Sequence, residues 1–268
     1  MLEALQFEFM RNALLAGLLA AVLCGIIGTL VVVNRIVFLS GGIAHAAYGG
    51  IGLAFFFGFP FILGISGFAL AAGLIMALVT LKAKERSDTI IGVIWAIGMA
   101  LGIILLDLTP GYHPDLMSFL FGSILTVPRS DLWLMLGLNL LIIAAIGFSY
   151  NALVSLSYDE EFARVRGLPV QTLYLVLIGL IALSIVMIIQ VVGLILVIAL
   201  LTIPPFMAEK YANSLLSMMI YSIVLNLIFT LSGLWLSFAF NLTSGASIIM
   251  VAAAGFFLSL IIERFRKK

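Results

Sequence analysis

From Leu173 to Met207 the chain is almost continuously apolar, interrupted by Ser184, Gln190, Gly193, Thr202 and the pair Pro204-Pro205. A helix crosses the hydrocarbon core of a bilayer in about 20 apolar residues, so this run is too long for one span. It predicts two short helices meeting near Gln190-Val191-Val192-Gly193. Comparable runs fill most of the remaining sequence: Ala13 to Val33, about Ile36 to Phe57, about Phe61 to Leu81 after Pro60, about Thr89 to Leu106, Leu132 to Tyr150, Ser214 to Phe240 and about Ala246 to Ile262. The chain is 64% hydrophobic with a mean hydropathy of +1.32, well beyond the roughly 45–50% apolar content of soluble domains. The expected fold class is therefore an all-α polytopic membrane protein of about nine transmembrane helices, within a range of roughly eight to ten. It is read as a single transmembrane domain over residues 1–268.

Charge placement sets the expected orientation. Lys82, Lys84, Glu85, Arg86 and Asp88 form a compact charged loop, whereas the loop from Thr109 to Asp115, which contains His113, has no Lys or Arg. Under the positive-inside rule the first loop faces the cytoplasm and the second faces outward. Arg264, Arg266, Lys267 and Lys268 put the C-terminus inside, and every Lys/Arg-bearing loop except the one with Arg129 then falls on the cytoplasmic side. An odd span count then puts the N-terminus outside. Leu116 to Val127 is too short to cross as a helix and reads as an interfacial or re-entrant element on the outer side. Met1 to Met10 contains Glu3 and Glu8 without a basic n-region, so the first apolar run is expected to remain as a span. Trp95 and Trp133, near span ends, read as interfacial anchors.

Several function classes are excluded. A net charge of +1 and the absence of Lys/Arg-rich runs leave no electrostatic footprint for nucleic acid. One cysteine, Cys24 in an apolar run, builds neither a disulfide framework nor a thiolate cluster. H-E-x-x-H, a P-loop and a nucleotide-binding glycine motif are all absent, so this polypeptide does not itself hydrolyse ATP by the usual route. A serine–histidine intramembrane protease would need Ser184 or Ser232 opposite His45, and nothing in the sequence ties them together. The missing internal repeat weighs against a self-sufficient secondary carrier.

The one substantial soluble stretch is Ser155 to Tyr174, SLSYDEEFARVRGLPVQTLY. Asp159, Glu160 and Glu161 open a short helix through Phe162, Ala163, Arg164 and Arg166, and Gly167, Leu168 and Pro169 close it. By composition alone it is a solvated loop joining two spans. The form D-x-E-F-A-x-x-x-G-L-P-V, followed by an apolar run with Q-V-V-G and then I-P, resembles the coupling segment of ABC importer permeases of the zinc/manganese/iron family. The resemblance implies a cytoplasmic coupling segment over about 155–171, lying along the membrane face and docking a separate ATPase.

The second span reads Phe38-Leu-Ser-Gly-Gly-Ile-Ala-His45-Ala-Ala-Tyr48-Gly-Gly. Gly42, Ala46 and Gly50 recur every four residues, and Gly41 and Gly49 at twice that interval, so one side of the helix is nearly bare backbone that lets another helix or a second subunit approach closely. His45 is the only histidine within an expected span. It is read either as a neutral imidazole hydrogen-bonded across a tight helix contact or as a group facing a pathway. In the metal permease family this span carries a pattern close to G-D-x-x-S-H-A. Here Gly41 stands at the acid position and Ala44 at the serine, followed by His45 and Ala46. The resemblance makes His45 a candidate metal ligand, with Ser40 and Tyr48 as assisting groups, and implies that the histidines of two copies meet near a two-fold axis.

Asp88 to Ala100 and Leu120-Phe121-Gly122-Ser123-Ile124-Leu125 are also similar to family elements; Gly92, Gly98 and Gly102, at near-helical spacing, read as packing positions. Taken whole, the resemblance implies a type II ABC importer permease in a bacterial inner or plasma membrane. It would form a homodimer, use ATP through a cytoplasmic ATPase subunit, receive a divalent transition metal from an extracytoplasmic binding protein and bind no covalent cofactor. Zinc is expected first, manganese or iron otherwise. A channel or secondary carrier acting without ATP is the alternative. His113, between Pro110, Gly111 and Pro114, reads as part of a tight turn before a metal ligand.

Overall fold

A backbone in hydrocarbon must satisfy its own N–H and C=O groups, and the apolar runs do so as helices. A computed structural model describes residues 6–111, 120, 122 and 124–266. Its helices are α1 (Glu8–Val33), α2 (Val37–Phe57), α3 (Phe61–Lys82), α4 (Ser87–Asp107), α5 (Arg129–Tyr158), α6 (Glu160–Val165), α7 (Val170–Val192), α8 (Leu194–Glu209), α9 (Leu215–Phe240) and α10 (Ser244–Arg266). Eight of these, all but α6 and α8, are long and apolar enough to cross a membrane. With 16 residues, α8 extends about 24 Å, short of a full crossing. The expected nine spans are thus eight of full length and one short helix.

The run from Leu173 to Met207 does divide at Gly193, but not into two short helices. The first, α7, has 23 residues and only the second is short. Gly193 has φ 81°, a left-handed conformation that favours glycine, and its N–H still donates to Ile189 O. Helix α8 continues through Pro204 and Pro205, whose missing N–H groups leave two intrahelical bonds unmade. Another boundary moves as well. Helix α5 runs to Tyr158 rather than ending at Tyr150, because Leu153 and Leu156 keep an apolar face buried. Half of the stretch 116–127, and His113 just before it, lies outside the described residues; Ile124–Thr126 forms a 3-10 turn.

Two compact units can be described. The first comprises residues 1–32, 117–144 and 188–268. In it α1 approaches its neighbours through small residues: Gly25 faces the backbone of Ile223 on α9, and Gly28 faces Leu201 and Pro205 on α8. Gly233 of α9 lies against Ile248 of α10. The start of α5 is tied to α1 and α7, since Asn12 Nδ2 donates to Val127 O at 3.1 Å and Gln190 Nε2 to Asp131 at 3.3 Å. Arg129, the cation that breaks the charge pattern, pairs with Glu8 at 3.1 Å. At the far end of these helices Lys210 bonds Glu263 at 2.8 Å.

The second unit comprises residues 33–116 and 145–187. Its centre is α2, buried over most of its length between α3 and α4. The same unit contains the end of α5, all of α6 and most of α7.

Candidate functional site

Helix α6 is held by local chemistry at both ends. The carboxylate of Asp159 accepts from Phe162 N–H at 2.8 Å, capping one of the free donors of the first turn, where Glu160 and Glu161 also face the positive end of the helix. At the other end Gly167 N–H donates to Arg164 O at 2.9 Å and Leu168 N–H to Ala163 O at 3.1 Å. This is a Schellman closure, and it requires the left-handed backbone that Gly167 adopts at φ 75°. Arg164 pairs with Glu160 one turn earlier, and the Arg166 guanidinium lies 5.6 Å from the Phe162 ring centre.

Ala163 is fully buried, which seats the helix. The opposite face shows Phe162 at 52% and Val165 at 87% exposure, next to Tyr158 at 61%. Asp159, Arg164, Arg166, Gly167 and Pro169 are exposed around them. An apolar patch ringed by charges on a preformed short helix has the makeup of a protein contact surface.

On α2 the bare stripe is a seam within one chain. A methyl group at Gly50 would lie 2.5 Å from Gly64 O, and one at Gly49 would enter the Phe68 ring, both on α3. Gly42 faces Ile91 of α4 and Met76 of α3, and Ala46 meets Gly98 of α4. One turn on, Gly52 and Gly102 approach backbone to backbone. The space beside Gly42, Gly49 and Gly50 is therefore taken by α3 and α4 and not by a second subunit. Gly41 is also buried.

His45 is half-buried. Its ring stacks on Trp95 of α4 with centroids 4.0 Å apart and planes 15° from parallel, and its Nδ1 is buried without a hydrogen-bond partner. Trp95 thus lies well inside α4 and is not an interfacial anchor; its Nε1–H donates to Met99 Sδ at 3.0 Å. Trp133, 73% exposed, keeps the position an anchor would have. Ser40 Oγ donates to Val37 O at 2.8 Å, so its hydroxyl hydrogen is engaged locally, and Tyr48 is buried.

Among the described residues no group of three or more His, Cys, Asp or Glu side chains could hold a metal ion. Every described Asp, Glu, Lys and Arg sits in a connecting segment, in α6 or within four residues of a helix end. His45 is the one imidazole inside a described helix.

Two relationships escaped the sequence reading: the stacking of His45 on Trp95, and a hydrogen bond from Asn34 Nδ2 to Ser157 Oγ at 2.9 Å. Both join residues distant in sequence, and neither leaves a periodic signal.

A sequence model of the ABC 3 transport family matches residues 6–263. Over 264 residues the chain is 52% identical to an uncharacterised membrane protein of Synechocystis sp., covering 98% of this chain and 94% of that protein. It is 31% identical over 263 residues to the manganese import system permease protein ScaB of Streptococcus parasanguinis, covering 98% and 94% of the two chains. Among solved structures, PsaBC from Streptococcus pneumoniae in complex with Fab matches with a TM-score of 0.87 and 33% identity, covering 96% of this chain and 93% of that one.

Proposed function

We propose that this chain, a member of the ABC 3 transport family, is the permease of an ATP-driven importer and that it selects zinc over manganese. Hydrolysis falls to a cytoplasmic ATPase subunit, a second copy of the permease completes the pathway, and an extracytoplasmic protein delivers the metal. The exposed Tyr158, Phe162 and Val165 surface of the 155–171 segment receives the ATPase.

The donor set carries the choice of metal. Manganese favours carboxylate, carbonyl and water oxygen, whereas imidazole nitrogen suits zinc. No described helix carries a carboxylate beyond its end turns, and Gly41 stands where the family pattern has an acid. What remains on α2 is His45, with an unpartnered buried nitrogen. One imidazole is far from the four ligands of a closed zinc site. A cargo site has to release what it binds, and a pair of histidines from two copies meets that requirement. The relative from Streptococcus parasanguinis, by its name, imports manganese; at 31% identity it supports a metal cargo and motivates manganese as the competing substrate.

The deciding experiment reconstitutes the importer with its partner subunits in vesicles and compares zinc and manganese uptake in the native and His45→Ala proteins. Zinc preference that disappears in His45→Ala, with complex assembly and ATP hydrolysis retained, is the expected result. Manganese preference in the native importer would overturn the choice of metal. Unimpaired zinc uptake by His45→Ala would remove the histidine from the pathway.

A further inference from the structure

We propose that Asn34 is a positioning residue that carries displacement of the coupling segment to α2. This rests on reading 155–171 as the ATPase docking segment. The bond from Asn34 Nδ2 to Ser157 Oγ spans 123 residues of sequence and is partly buried. Ser157 is the penultimate residue of α5, and Asp159, two residues on, caps α6. Asn34 lies in the short turn between α1 and α2, three residues before Val37 begins α2.

Neither side of this bond is slack. Arg35 has φ 58°, a left-handed conformation that defines the turn and is uncommon outside glycine, asparagine and aspartate. Ile36 is 8% exposed, and its carbonyl accepts from Ser40 N–H at 3.0 Å, so helical bonding starts at once. On the other side Leu156, also 8% exposed, anchors the last turn of α5. Asn34, Ser157, α6 and His45 all belong to the same compact unit. His45 follows Val37 by two helical turns, about 12 Å along α2. A hydrogen bond is directional and weakens steeply when misaligned. A shift of the α5–α6 corner by a docked ATPase therefore acts on the start of the helix that bears the imidazole.

The test uses the whole importer, permease with ATPase and binding protein, in vesicles with zinc as the transported ion. Asn34→Ala is expected to keep the ATPase bound and ATP hydrolysis running while metal moved per ATP falls about three- to tenfold, the range one net hydrogen bond corresponds to. Ser157→Ala should behave alike, and the double variant should be no worse than Asn34→Ala alone, as residues acting through one bond require. Exchanging the pair, Asn34→Ser with Ser157→Asn, restores a donor opposite an acceptor and should recover the ratio. An unchanged ratio in Asn34→Ala, additive losses in the double variant, or an exchange that recovers nothing would each overturn the link. So would loss of yield and monodispersity in both single variants, which would assign the bond to folding. Failure of the docking reading shows separately, as an ATPase that stays bound when Arg164 and Arg166 are reversed in charge.

Discussion

His45 of α2 and Trp95 of α4 lie face to face, their ring centres 4.0 Å apart. Stacking fixes the plane of the imidazole without using either nitrogen, so the lone pair stays available while the ring loses rotational freedom. Groups that orient a metal ligand typically contribute 10- to 100-fold in affinity or activity. For a weak, transient site the lower end applies: Trp95→Leu is expected to reduce zinc uptake at limiting zinc about tenfold. Trp95→Phe, which keeps an aromatic face, should retain most of it. Uptake measured over a range of zinc concentrations should show the Leu variant recovering toward the native rate at saturation. Equal loss at every concentration would assign Trp95 to the turnover machinery instead.

Much of this fold was legible because bilayer thickness imposes a length on apolar runs, and most runs became helices within a few residues of their expected ends. Boundaries failed where a helix outlasted the hydrocarbon, as α5 does through Leu153 and Leu156 to Tyr158. Asp159 and Gly167 bracket α6 as expected, because caps are local chemistry. The partners of α2 were not legible. A four-residue spacing of small residues shows that something approaches closely but leaves open whether it is another helix or a second subunit, and beside Gly42, Gly49 and Gly50 it is α3 and α4. Trp95 was misread as an anchor because its role depends on a residue fifty positions away.

The glycine seam gives a stability prediction with its own control. A methyl group at Gly98 would lie 2.7 Å from the Cα of Ala46, so α2 and α4 must separate to admit it, whereas one at Gly92 meets nothing within 4 Å. Gly98→Ala should destabilise the protein by about 1–3 kcal/mol, the usual cost of overpacking. Gly92→Ala should be neutral or stabilising by up to about 1 kcal/mol through helix propensity. Thermal unfolding of the two variants in detergent checks this, and similar midpoints would show that the seam yields to a methyl group.

Charge reversal tests the docking surface. Arg164 and Arg166 are exposed, and the pair between Arg164 and Glu160 is worth only about 0.3–0.5 kcal/mol to an isolated helix. Arg164→Glu with Arg166→Glu should therefore leave folding nearly intact. Against a complementary ATPase surface the same change should cost about 1–3 kcal/mol of association, read as loss of the ATPase on co-purification. Undiminished retention would remove the reason for placing the ATPase there.

The missing acid offers the sharpest handle on selectivity. Gly41 and His45 are four residues apart on α2, one helical turn, so side chains at the two positions lie above one another on one face. Gly41→Asp would put a carboxylate beside the imidazole. An anionic oxygen attracts any divalent cation more strongly than a neutral nitrogen does, and manganese gains most because it favours oxygen ligands. Bound metal partly offsets the burial of that charge, which is costly without a partner. Gly41→Asp should therefore shift uptake toward manganese, lower the metal concentration needed for half-maximal uptake and slow release. The protein should be more stable to heat with manganese present than without it, since a ligand that binds the folded state stabilises it. Gly41→Asn, similar in size but uncharged, separates steric effects from charge and should leave the native preference in place. A manganese-to-zinc uptake ratio in Gly41→Asp no higher than in Gly41→Asn would mean that this face of α2 does not meet the cargo.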